Sequence, residues 1–175
     1  MRRTPSGKAH LGQRSRNKVR DDAYSFLECS AEKANLPDEG RFAMKLEGGC
    51  QCGDVRYAVE GEPEHVALCH CADCRKSSGA PTVAWAAFKW PEFTLTSGKP
   101  SIYNSSGSAM RHFCPRCGTG ILYANEEYLP GLVDLQVATL DDPDALPPQA
   151  HIQVAERVGW MQHLDKLPEF ERYPG

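Results

Sequence analysis

No apolar run in this chain approaches the ~20 residues that a membrane-spanning helix needs; stretches such as "APTVAWAAF" fall well short, which predicts no membrane span. The first 20 residues contain no acidic side chain, and their basic residues are not followed by an apolar segment with a small-residue cleavage site, so no secretory signal is expected. Without export, thiols stay reduced and a disulfide framework is disfavoured; the expected location is cytoplasmic. Helical periodicity sustained over several turns is missing from residue 44 onward, and no cysteine follows Cys117.

What is present is an ordinary globular composition, 41% hydrophobic and 25% charged over 175 residues, enough for one domain with a proper core. The charge is unevenly placed. Residues 1–20 carry seven basic side chains, whereas residues 21–175 carry 13 basic against 23 acidic, a net of -10. An acidic body argues against the folded domain gripping a phosphate backbone. The basic head reads as an extension over 1–43, disordered or weakly helical at 20–35, with a nucleic-acid or membrane-surface arm or an Arg-rich transit peptide as alternatives; the domain itself would occupy 44–175, and Met44 could even be its true start.

Eight cysteines in such a chain point to metal. Seven fall in tight groups: Cys50 and Cys52 in "GGCQCGDVRY", Cys69, Cys71 and Cys74 in "LCHCADCRK", and Cys114 and Cys117 in "HFCPRCGTG". Cys29 stands alone and reads as a plain small side chain. Segments such as "DVRYAVEG", "EHVALCHC", "TVAWAAF", "EFTLTSG", "AMRHFC", "GILYAN", "GLVDLQVATL" and "HIQVAERV" are short, strand-like and punctuated by Gly, Pro and Asp turns, so the body is predicted to be all-β.

On an extended segment, alternate side chains share a face, so each Cys-x-Cys is expected to form a two-pronged claw. "CPRCG" is a turn whose thiolates converge on one ion, with Gly118 free to adopt a left-handed backbone. The economical partition assigns Cys50, Cys52, Cys114 and Cys117 to a closed, structural zinc site. Cys69, Cys71 and Cys74 are then left with a second zinc and an open position, the alternative being that a His, Asp or Glu elsewhere closes it. Three thiolates leave the zinc complex net negative and a weak Lewis acid toward water, so a soft thiol suits the fourth place. Arg75 and Lys76 could steer an anionic thiol, or be a solvated basic pair. His70 should point away from the metal as a surface or supporting group, and His112 should pack near the structural site. Asp73 should cap backbone N–H groups.

The combination "GGCQCGDVRYAVEG", "LCHCADCRKSSGA", "TSGKPSIYNSSGSAMRHFCPRCGTGILY", "GLVDLQVATLDDPDALPPQAHI" and Trp160 resembles the glutathione-dependent formaldehyde-activating enzyme (GFA) family, which shares its domain with centromere protein V. The resemblance covers about residues 45–160. It implies an Mss4-like, β-tent fold with two zincs, closed on Cys50, Cys52, Cys114 and Cys117 and open and catalytic on Cys69, Cys71 and Cys74. The implied activity is that of a carbon-sulfur lyase, adding the thiol of glutathione to formaldehyde to give S-hydroxymethylglutathione. His151 and Trp160 could wall the pocket or be core. A non-catalytic, zinc-stabilised interaction module like centromere protein V is the rival reading. Methionine sulfoxide reductase, whose fold is similar, is set aside because it should show two CxxC pairs and a later catalytic cysteine.

Overall fold

A computed structural model describes residues 44–174. The extension at 1–43, its helix at 20–35 and Cys29 lie outside the described residues. Among the described residues, the first half of the chain supplies β1 (Lys45–Gly49), β2 (Arg56–Glu60), β3 (His65–Cys69), α1 (Ala72–Ser78), β4 (Val83–Lys89) and β5 (Phe93–Ser97). The second half supplies β6 (Ser101–Ser106), β7 (Ala109–Phe113), β8 (Gly120–Asn125), β9 (Leu132–Gln136) and β10 (Ala150–Ile152), with short 3-10 turns between and after them. The all-β expectation holds. Three strands form one sheet in the order β1-β2-β5, and seven form another in the order β10-β3-β4-β9-β8-β7-β6. Every pairing is antiparallel except that of β10 with β3.

Strand alternation gives the larger sheet two different faces. One carries Val66, Ala86, Phe88, Leu122, Val133 and Leu135, which pack with Val55, Tyr57 and Val59 into the main core. Phe88 and Tyr57 are fully buried there, and truncating such a ring to alanine costs about 3–5 kcal/mol. The opposite face is set by register. Tyr103 pairs with Arg111, Arg111 with Tyr123, Tyr123 with Asp134, Asp134 with Ala87, and Ala87 with His65, so one row of polar and aromatic side chains crosses six strands. On this second face Trp85 and Val83 form a smaller cluster with Cys69 and Cys74.

Four local features differ from the sequence reading. Strand β1 was not expected, since "KLEGG" has neither alternation nor β-branched residues; it pairs with β2 along all five residues. Gly48 is required in it because a Cβ there would come within 2.5 Å of the Tyr57 ring and the Thr139 carbonyl. Residues 72–78, where no helix was expected, form α1, capped by the Cys71 sulfur at its N-terminus and by left-handed Gly79 at its C-terminus, where the Gly79 N–H donates to the Arg75 carbonyl. The stretch "GLVDLQVATL" leaves the sheet after Gln136 for a 3-10 turn over Val137–Thr139. The stretch "HIQVAERV" does so after Ile152, where Gln153 takes φ 57°.

Candidate metal centres

Two groups of sulfurs converge as the spacing predicts. The Sγ atoms of Cys50, Cys52, Cys114 and Cys117 all lie within 4.8 Å of one another, as do those of Cys69, Cys71 and Cys74, and each group could hold a metal ion. None of the seven is in a disulfide.

The group of four joins two turns. Cys50 ends the β1 side and its carbonyl accepts from the Gly53 N–H, so Cys50 and Cys52 sit in a tight turn with Gly53 at φ 79°; the extended claw expected here is replaced by that turn. The second pair lies in the β7–β8 connection, where the Gly118 N–H donates to the Cys114 carbonyl and Gly118 takes φ 77°, as the "CPRCG" motif requires. Cys50 and Cys52 sulfurs are 3.5 Å apart, and Cys52 and Cys114 sulfurs 3.7 Å. The Val55 N–H donates to the Cys50 sulfur, and the Gln51 N–H donates to the Thr119 hydroxyl, which itself meets the Cys117 sulfur. These contacts divide the thiols unequally. A hydrogen bond from Thr119 helps hold Cys117 down to about 5. The backbone N–H of Asp54 favours ionised Cys52, yet burial and the neighbouring thiols outweigh it and push Cys52 up to about 12.

The group of three sits on the second face of the large sheet, packed against Val83, Trp85, Tyr123 and Ile152. Cys69 is the last residue of β3, Cys71 is the N-cap of α1, and Cys74 lies in the first turns of that helix with its N–H donating to the Cys71 sulfur. The three sulfurs do not ionise equally. Contacts from Cys69 and Cys74 pull Cys71 down to about 2, while the same contacts drive Cys69 far up. Cys69 favours ionised Cys74, but Cys71 and burial together raise it. A bound cation reverses this frustration by neutralising all the thiolates at once.

The C-terminal segment braces the trio. His70, between two of the cysteines, is buried rather than on the surface; its Nε2 lies 2.9 Å from Nδ1 of His151 and 3.4 Å from Nη2 of Arg157. The Glu156 carboxylate accepts the Ala72 N–H at 2.6 Å, at the start of α1. Arg75 donates to the carbonyls of His70 and Glu156, so it ties helix to segment, whereas Lys76 stays on the surface. Asp73 stands in the first turn of α1. His112 is half-buried in β7, paired with Leu122 and beside a register shift between His112 and Phe113. Trp160 is 57% exposed and therefore outside the core.

A depression of about 260 Å³ opens between α1 and the β6–β7 edge, lined by Asp73, Lys76, Ser77, Tyr103, Ser105 and Arg111. Arg111 lies over the Tyr123 ring, 5.1 Å from its centroid. The Tyr123 hydroxyl accepts from Asn125 Nδ2, and its ring contacts the trio's cluster. Sequence reasoning missed both Arg111 and Tyr123. The alternation in "AMRHFC" and "GILYAN" was the available signal, but it needs the register to say which face each residue joins.

Residues 45–156 match the family described as glutathione-dependent formaldehyde-activating enzyme. The chain belongs to that family. A Halomonas elongata protein that carries the provisional name glutathione-dependent formaldehyde-activating enzyme is 29% identical over 128 residues, 68% of this chain and 81% of that protein. An uncharacterized lyase of Schizosaccharomyces pombe is 31% identical over 80 residues, 46% of this chain and 58% of the relative. A crystal structure of a Rhodobacter sphaeroides protein superposes with a TM-score of 0.49 at 23% identity, covering 60% of this chain and 98% of that one. The GFA match spans both cysteine groups, α1 and the segment through Glu156.

Proposed function

We propose that this GFA domain is a zinc-dependent carbon-sulfur lyase that adds a glutathione-like thiol to an aldehyde such as formaldehyde. The observation that carries the reading is the trio of Cys69, Cys71 and Cys74, three convergent sulfurs beside a polar groove and on the sheet face opposite the main core. The donor sets fit zinc. A tetrahedral zinc with Zn–S of ~2.3 Å sets its sulfurs about 3.8 Å apart, close to the 3.5 and 3.7 Å found among the group of four. Cys50, Cys52, Cys114 and Cys117 would close a structural site, and the trio would leave one position for an incoming thiol.

When bound at the trio, zinc supplies a lowered thiol pKa and a fixed sulfur position. The remaining work falls to the chain. Cys71 and the α1 N-terminus fix the spacing of the trio, Glu156 and Arg75 hold that helix in place, and Trp85 and Val83 keep water from the sulfurs' rear. In the reaction a C–S bond forms, the carbonyl π pair moves to oxygen, and that oxygen takes up the proton given up by the thiol. The product with glutathione and formaldehyde would be S-hydroxymethylglutathione.

Exchange NMR on glutathione and formaldehyde at equilibrium tests this. Because the uncatalysed reaction proceeds by itself, the expected result is a protein-dependent increase in exchange that Cys74→Ser abolishes. No increase from a protein carrying two zincs would reject the formaldehyde activity and turn attention to other aldehydes and to a binding module.

A further inference from the structure

The groove beside the trio is not electrostatically neutral, and its charge runs against that of the domain. Residues 44–174 carry 11 basic and 17 acidic side chains, yet the groove gathers Lys76 and Arg111 against Asp73 alone. Four other arginines of the domain are engaged, Arg56 with Asp141, Arg116 with Asp54, Arg75 with two carbonyls and Arg157 with His70, and Arg172 lies exposed in the segment after the last 3-10 turn. Arg111 is different. Among the described residues its guanidinium makes no hydrogen bond or ion pair; it is held only from below, by the face of Tyr123. A guanidinium oriented by an aromatic ring keeps its fork of N–H donors available, and that fork matches a carboxylate in bidentate fashion. Tyr123 also links this cation to the sulfurs, since the same ring packs in the cluster of Cys69, Cys71 and Cys74. Lys76 reaches the groove from α1, two residues after Cys74, and the Tyr103 and Ser105 hydroxyls complete a polar lining. The volume of about 260 Å³ suits a group the size of an amino acid, since one water occupies ~30 Å³ in the liquid.

We propose that this groove binds the carboxylate of the thiol substrate through Arg111, with Lys76 as the supporting cation, so that the trio serves thiols bearing a free carboxylate in preference to neutral ones. The inference rests on the trio being the thiol site, and it adds the chemical class that the site selects. Asp73, facing the same groove, repels a second carboxylate placed near α1 and so favours one binding direction.

Calorimetric titration of the zinc-loaded protein with S-methylglutathione tests the groove without any reaction, because the blocked sulfur cannot form the C–S bond while both carboxylates are intact. The expected result is binding that weakens tenfold or more for the diethyl ester, and tenfold or more in Arg111→Met. Arg111→Lys should recover part of the loss. Lys76→Met, on the exposed face of a helix, should weaken binding without endangering the fold. In the exchange assay Arg111→Met should raise KM for glutathione more than it raises KM for 2-mercaptoethanol. An ester that binds as tightly as the acid, or Arg111→Met and Lys76→Met both binding like the parent, overturns the proposal. Selective binding without aldehyde exchange would uphold the carboxylate groove and reject the lyase reading; equal exchange with acidic and neutral thiols would do the reverse.

Discussion

His70 and His151 meet ring to ring, 2.9 Å between Nε2 of the first and Nδ1 of the second, so one of the two nitrogens must carry the proton and the other accept it. His70 belongs to the segment between Cys69 and Cys71, and His151 to the parallel edge strand β10, so the contact fixes the segment that carries the sulfur trio against the sheet. Burial holds the His70 pKa down, helped by Arg157 and His151 nearby. His151→Ala should leave the buried His70 Nε2 with only its longer contact to Arg157, at a cost of about 1 kcal/mol. The expected outcome is weaker retention of the second metal equivalent in a chelator competition, with the first unaffected; His151→Gln, which keeps a polar partner, should restore part of it.

Cys117→Ser and Cys74→Ser should behave differently. A structural zinc site contributes an apparent ~10–16 kcal/mol in small domains, comparable to the whole ~5–15 kcal/mol stability of a typical fold. The group of four joins the β1–β2 turn to the β7–β8 turn beside the main core, so Cys117→Ser should yield insoluble or unfolded protein. Cys74→Ser should give a folded protein with one metal equivalent fewer. Metal analysis with circular dichroism on both variants checks the division, and matching behaviour would dissolve it.

Glu156 caps α1 from a distance of 84 residues in sequence. Its carboxylate meets the first free N–H of a seven-residue helix, which is far below the ~12–15 residues at which an isolated helix becomes marginal. Glu156→Ala should lower stability by about 1 kcal/mol and raise hydrogen exchange at Cys74, Arg75 and Lys76, while exchange in β7 and β8 stays unchanged.

Asp134 introduces a pH dependence of stability with an unusual sign. Burial pushes its carboxyl up to about 7, well above the ordinary value of 3.8, and the His65 ring 3.6 Å away is itself held below its usual range by burial. Between those two carboxyl values the folded state keeps a proton that the unfolded chain has released, so stability from this group falls as pH rises from about 4 to about 7 and is flat above. The loss is on the order of 4 kcal/mol at most. Asp134→Asn should therefore be neutral near pH 4 and stabilising at pH 8, which urea titrations of both proteins at several pH values would show; a difference independent of pH would refute it.

Both metal groups were legible because their information is local: the CxxC turn with Gly118 and the Cys-x-Cys pairs are read within ten residues of chain. The strands from Arg56 onward were legible through alternation and their turn residues. Strand β1 was not, because Gly48 is chosen for the clearance that Tyr57 and Thr139 leave, a property of the folded neighbours. Helix α1 was hidden by its brevity and by a cap made of cysteine rather than serine or aspartate. Arg111 looked like any strand arginine until the row from Tyr103 to His65 placed it over Tyr123 and next to α1. The bracing role of Arg75 was likewise invisible, since its acceptors include a carbonyl 81 residues away.

The Cys71 sulfur accepts the Cys74 N–H at the start of α1 while pointing at the other two sulfurs of its group. Serine is the better cap and the poorer zinc ligand. Exchanging one sulfur for one oxygen at this position would let a descendant keep the helix and its groove while giving up the metal, a one-atom route along which a lineage can drift from reagent to scaffold.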